Sequence, residues 1–481
     1  MTARSPYRPM GAWRGRPMGT WRRSVSRCRP GSTGAGRVGT VGVGVLLVLA
    51  WVRVTGPQLV DVLHDGRPAF NSPVESMPAT GRLLGDAVTA AFLGLAVLLT
   101  GYGLWRRRPD RLPALALVLA PLATIHLAGL IAGERPGPVA LALPAAAVAS
   151  WVLRPGPSVL ATIGALGAVT AAGSILLAAL RPDLALLTGA DAGAKSGAIG
   201  GLLTGPYPHS NVLGLILALS LPFVFGLRHP PTRRVALTSI LVALLWTGSR
   251  TSQLAALVVL LSWALLSWGV LPRGLLTRGR RGLLIGEHGR PRGLLIGVPV
   301  AAGLGLTVAS PLLTTDPASF TERGRIWRAL LSRWAERPFT GHGPGYFERQ
   351  PGLAEALGGR YTHGHNLLVH LLTVGGLLTV ALFAVLLGLV WRRATILAGA
   401  GAGAMAGAGA ITGPPRSGSP AVVPVLFLVA LAWVSWLEAS HAAVTLAGHL
   451  TWLPLCLIAR AGPPDPPDPG PPSGSEDQDV A

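Results

Sequence analysis

The chain has 481 residues, 50% hydrophobic and 13% charged, with a formal net charge of +21. A soluble globular protein carries about 25% charged residues, so this composition does not fit a water-soluble domain. The surplus Arg sits between long apolar runs rather than along one stripe, which argues against a nucleic-acid partner; the two cysteines, Cys28 and Cys456, lie too far apart in character to suggest a disulfide framework.

Residues 1–36 are rich in Arg, Gly and Ser, hold no acidic residue, and are predicted to be a disordered basic cytoplasmic tail. The first apolar run, 41–54, lacks a convincing cleavage site and reads as a retained helix. Further runs follow at 83–104, 112–132, 159–180, 212–227, 254–271 and 367–390. Each is near the roughly 20 residues that a spanning helix needs. Only helices or closed barrels satisfy the backbone in lipid, and a barrel would show short alternating segments. The expected fold class is therefore all-α: a polytopic membrane protein with roughly twelve transmembrane helices and one large extracytoplasmic loop, spanning 37–460.

Arg clusters at 106–108, 228–234, 273–292 and 392–393 fall on one side when the runs are threaded back and forth. Placing that side in the cytoplasm puts both termini inside and the loop 311–363 outside, in the cell (plasma) membrane. Within the basic loop, Arg273, Arg281 and Arg292 each begin a Gly-Leu-Leu repeat, which reads as a tandem expansion. The stretch 398–410 alternates Gly and Ala and is a poor span, so it is expected to stay cytoplasmic. Residues 461–481 are expected to form a disordered acidic tail.

Four polar clusters map to the outer face on this threading. At 205–211, a Gly-Pro-Tyr-Pro turn leads into His209, Ser210 and Asn211; Ser210 or Asn211 could cap the next helix, and His209 is either incidental or functional. At 247–252, Arg250 lies at the membrane surface. It is a snorkelling anchor or an anion contact, since guanidinium donors match phosphate oxygens. The third cluster is the loop 311–363. It carries Arg323 and Arg325, then a helix expected over 326–335 with Trp327, Leu330, Leu331 and Trp334 on one face, lying along the membrane. A Gly-rich turn with Gly343 and Gly345 follows, without the spacing of a nucleotide fingerprint.

The fourth cluster is His363-Gly364-His365-Asn366, which opens directly into an apolar helix. Two His could ligate a metal, but their spacing is not that of a helical face and no acidic or Cys partner stands nearby in the chain. A general base is the favoured role, because the imidazole titrates near neutral pH.

Taken in order, His209-Ser210-Asn211, Gly248-Ser249-Arg250, Arg323 four before Trp327, the 338–347 Gly-rich turn and His363-x-His365-Asn366 resemble the O-antigen ligase and polymerase superfamily. The resemblance covers a core of about 200–390. It departs at Thr373, where many members carry Glu, and at Ser210, where Pro is common.

The resemblance implies a metal-independent GT-C glycosyltransferase, with no cofactor and a polyprenyl-pyrophosphate-linked glycan as donor. The acceptor would be a glycan, lipid or protein in the lipid bilayer. His365 would act as catalytic base or at the reacting centre, with Arg250 and Arg323 on the pyrophosphate and Arg325 as the alternative to Arg323. His363, Asn366, His209, Asn211, Gly343 and Gly345 would bind substrate. The rivals are a secondary transporter, which would show broken helices and internal repeats, and a protein O-oligosaccharyltransferase.

Overall fold

The computed structural model describes residues 32–66, 79–106, 109–188, 200–268, 290–320, 322–350, 363–407 and 420–461. Of the expected tails, 1–36 and 461–481, residues 1–31 and 462–481 lie outside the described residues, as does most of the basic repeat loop (269–289). The protein is all-α. Its only described sheet is a two-residue antiparallel pair, β1 (Leu186–Leu187) with β2 (Leu202–Leu203), registered Leu186 to Leu203.

The helices are α1 (Ser32–Asp65), α2 (Ala79–Arg106), α3 (Leu112–Ile131), α4 (Pro138–Leu153), α5 (Leu160–Leu180), the single turn α6 (Pro182–Ala185), α7 (Ser210–Val224), α8 (Pro230–Trp246), α9 (Arg250–Trp268) and α10 (Arg290–Leu313). Then come α11 (Arg323–Trp334), the turn α12 (Tyr346–Arg349), α13 (Leu367–Gly407), α14 (Val423–Ser435) and α15 (His449–Arg460). Pro at the first positions of α3, α4 and α8 fits helix starts, where its missing N–H costs nothing. The α1 helix begins at Ser32, inside the stretch expected to be tail, and α13 carries the Gly/Ala segment as helix as far as Gly407.

Among the described residues, six helices are long and apolar enough to cross a membrane by themselves, fewer than the roughly twelve expected, and five more are shorter apolar helices. The count of unaided spans is thus lower than expected, and burial supplies the reason. Nearly every residue of α7, α14 and α15 is buried. These short helices sit at the centre, and the segment 436–448 between α14 and α15, irregular apart from two 3-10 turns, is itself mostly buried. Irregular backbone is tolerated at depth where protein rather than lipid surrounds it. The longer helices α1, α2, α3 and α5 ring this centre and keep large apolar side chains exposed, such as Leu98, Leu127 and Leu180.

Small residues let the helices approach. A Cβ added at Gly167 of α5 would stand 2.3 Å from Ser220 Cβ of α7, so only Gly permits this crossing. At the other edge, Arg460 on α15 donates to Asp110 Oδ1 (2.9 Å) and to the Trp151 carbonyl (3.0 Å), and Arg154 meets the same Asp110 oxygen at 2.9 Å.

The apolar face of α11 packs on protein. Ile326, Trp327 and Leu330 are buried with Tyr346 and with Val369 of α13. Trp327 is fully buried, whereas Trp334 is partly exposed and donates from Nε1 to the Pro338 carbonyl at 2.9 Å. The polar face of Arg328, Ser332 and Arg333 points outward.

Candidate active site

The C-terminal end of α10, the N-terminal end of α13, the C-terminal end of α14 and the start of α11 meet at one end of the helical body. The joint is Asn366. Its Nδ2 donates to the Thr307 carbonyl on α10 (2.9 Å) and to the Trp436 carbonyl after α14 (3.0 Å). Its Oδ1 accepts from Val369 N at 3.1 Å, in the manner of a helix cap. Asn366 is fully buried. Both amide donors and an acceptor are thus engaged in structure, and Asn366 acts by holding the turn that presents His363 and His365.

His365 has φ 49°, in the left-handed region. That conformation costs a non-glycine residue roughly 1–2 kcal/mol, and such strain concentrates at functional sites. The His363 and His365 rings lie 4.2 Å apart. The carboxylate of Glu438 faces both: Oε2 is 3.4 Å from His363 Nε2 and 3.9 Å from His365 Nδ1. Its other oxygen accepts from Arg323 Nη2 at 3.0 Å.

Glu438 is buried, so an ionised carboxylate there needs partners. Burial pushes its carboxyl up, but the His363 hydrogen bond and the charges of His365, Arg323 and His363 outweigh burial and hold it below the usual range. A carboxylate only accepts, so His363 Nε2 is the donor in that pair. His365 shifts the other way. Burial lowers its pKa well below 6.5, His363, Arg323 and His209 lower it further, and Glu438 opposes. The ring is neutral at pH 7, as a base must be.

Arg323 Nη2 is on Glu438 and Nη1 donates to the Phe320 carbonyl at 3.3 Å, while the buried Nε has no hydrogen-bond partner among the described residues. Arg325, two residues on, is half exposed and pairs with Glu322 Oε2 at 2.9 Å. Of the two, Arg323 is the one brought against the His pair.

The remaining expected residues are spread around this centre. His209, not Ser210 or Asn211, caps α7: its backbone is extended and its Nδ1 accepts from Asn211 N at 2.9 Å. Ser210 is buried with its Oγ unpartnered. Tyr207 anchors this loop, its hydroxyl 2.8 Å from Thr55 Oγ1. Arg250 opens α9 and is exposed; among the described residues no hydrogen bond or ion pair joins it to Glu438 and its partners. The preceding Ser249 lies against Gly214, one turn into α7, where an added Cβ would come within 2.8 Å of Ser249 Cβ.

Gly343 and Gly345 serve a joint. Gly343 N donates to the Val374 carbonyl at 2.9 Å, and Gly345 N donates to Glu134 Oε1 at 3.1 Å. The same Glu134 pairs with Arg349. The Gly-rich turn fills a break in α13, where Gly376 has φ 66° and ψ −172°. Leu377 N and Leu378 N, freed by the break, donate to the carbonyls of Pro338 (2.8 Å) and Phe339 (3.3 Å).

The residue that sequence reading missed is Glu438. Its signal was present: it is the sole acidic residue between 420 and 459, and an ionisable group in such a stretch is a site candidate by default. His363, His365 and Glu438 are also the residues that could hold a metal ion, their ligand atoms lying within 4.8 Å of one another. The Arg323 cation on the same carboxylate works against a divalent ion there.

Comparison with known families bears on this arrangement. Residues 235–384 match the family model described as O-antigen ligase. Over this stretch the chain is similar to that family. It includes Arg250, Arg323 and the His363–Asn366 turn and stops short of Glu438. No curated protein matches the chain.

Proposed function

We propose that this protein transfers or polymerises glycans from a polyprenyl-pyrophosphate carrier onto an acceptor hydroxyl at the outer face of the cell membrane, with both termini in the cytoplasm and 311–363 outside. The observation that carries the reading is a strained His365, its pKa lowered by burial, held with the Arg323 guanidinium around one carboxylate, Glu438. As the acceptor oxygen attacks the anomeric carbon, its proton passes to His365. The bond from that carbon to the pyrophosphate oxygen breaks, and the electron pair leaves with the pyrophosphate. Arg323 stabilises the charge that develops there, a role suited to fixed donors in a site sheltered from water. Arg250, exposed at the start of α9, supplies a second phosphate contact once the donor is bound. Guanidinium groups then provide the countercharge without a metal.

The transporter reading is disfavoured by the closed break in α13: the loop 338–343 occupies it, leaving its backbone groups satisfied by protein. The oligosaccharyltransferase reading differs only in acceptor.

The test is transfer by the purified protein in nanodiscs, with lipid-linked glycan as donor and glycan, lipid or peptide as acceptor. His365→Ala is expected to lower turnover by about 10²–10⁴-fold while donor binding persists. Arg323→Lys is expected to rescue poorly, because a point charge does not reproduce a planar fork. EDTA is expected to leave the rate unchanged. Full activity of His365→Ala would remove the base, and EDTA inhibition reversed by a divalent ion would replace the Arg mechanism with a metal one.

A further inference from the structure

We propose that Glu438 is a positioning residue for the transfer: one carboxylate oxygen sets the Arg323 guanidinium and the other sets the His363–His365 pair. The inference rests on the transfer reading above, and it lies beyond the family match, which ends at residue 384.

The geometry supports positioning because Glu438 is itself held from three sides. Its backbone N donates to the Val434 carbonyl at 3.1 Å, closing the turn after α14. Trp436 in that turn donates from Nε1 to Ser310 Oγ on α10 at 2.7 Å, and its carbonyl takes the Asn366 amide at 3.0 Å. Leu437 packs against the apolar face of α11, which carries Arg323. The turn after α14 is therefore clamped to the three other elements whose ends build the site. A carboxylate on such a clamp can fix the distance between a phosphate-binding guanidinium and a base.

Each partner has a task left after Glu438 has taken its share. Arg323 still has its buried Nε without a hydrogen-bond partner among the described residues. His363 spends its Nε2 hydrogen on Glu438, which fixes its tautomer and steadies the ring lying against His365. The charged or titratable groups facing His365 are His363, Glu438, Arg323 and His209. Glu438 is the one anion among them, so it alone offsets three basic neighbours. A bland counter-ion for a buried Arg would need only the Arg323 contact; the second oxygen's reach to both histidines is what a counter-ion role leaves unexplained.

The experiment uses the full chain in nanodiscs, with undecaprenyl pyrophosphate carrying no sugar as the binding probe and transfer from lipid-linked glycan as the rate. Glu438→Gln, nearly isosteric, is expected to bind the probe as tightly as wild type or tighter, since a competing anion is gone. Its turnover is expected to fall by about 10²-fold, the scale of a misplaced catalytic group. Glu438→Asp keeps the charge but shortens the reach, and about tenfold is expected from the same cause. Adding His363→Ala to Glu438→Gln should lower turnover little further, because residues that act through one contact are not additive.

Wild-type turnover in either Glu438 variant would overturn the inference while leaving the transfer reading intact. Loss of probe binding in step with turnover would also overturn it, marking Glu438 as a counter-ion for folding. A wild-type protein that neither binds the probe nor transfers would overturn both. Glu438→Asp retains the counter-ion, so it remains decisive even where Glu438→Gln fails to fold.

Discussion

Arg323 Nη2 and Glu438 Oε1 lie 3.0 Å apart, joining residues 115 positions distant in the chain, with side chains only 16% and 6% exposed. Removing one member of such a buried pair leaves an uncompensated charge. Arg323→Ala is expected to destabilise the protein by roughly 3–5 kcal/mol, read as a lower Tm in detergent. The double variant Arg323→Ala, Glu438→Gln should recover part of that loss. An unchanged Tm for Arg323→Ala would show that the pair is not formed.

The pH dependence follows from His365 and from the buried His441, in the segment after α14. Burial lowers His365 well below 6.5 and lowers His441 to about 4, with Glu438 opposing in both. In each case the unfolded chain binds the proton more readily, so stability is full above about pH 6.5 and falls as pH drops from there toward about 4. Activity should persist below the pH at which an ordinary His loses its basic form. A kcat/KM profile with its acid limb at or above pH 6.5 would contradict a depressed His365.

Asn366 offers a test of scaffold against substrate contact. Asn366→Asp keeps the cap acceptor but cannot donate to the Thr307 and Trp436 carbonyls. Leaving buried acceptors unmet costs about 1–3 kcal/mol each, so a lower Tm is expected, with turnover falling as the turn loosens. A variant of native stability that has lost only donor binding would return Asn366 to the substrate.

The orientation can be read with single cysteines at Ser319 and Thr277 in a cysteine-free background. An impermeant maleimide on intact cells should label Ser319, in the loop between α10 and α11, and spare Thr277. The reverse pattern would place the site at the cytoplasmic face.

The amino-acid sequence alone determined the helical membrane class, because transfer of an apolar run into lipid is a local sum over its residues. It also pointed to Arg323, His363 and His365, since charged and titratable groups beside spans stand out against an apolar background. It did not show that α7, α14 and α15 would be short and central, because burial by neighbouring helices replaces burial by lipid only once the bundle forms. Nor did it show that Asn366 and Gly343 would be joints, a role set by carbonyls of α10, α13 and the turn after α14. The pairing of Glu438 with Arg323 and the histidines was decided by tertiary structure alone. Sequence patterns report neighbours along one element, whereas this carboxylate reaches its partners across helix ends that meet only in the folded bundle.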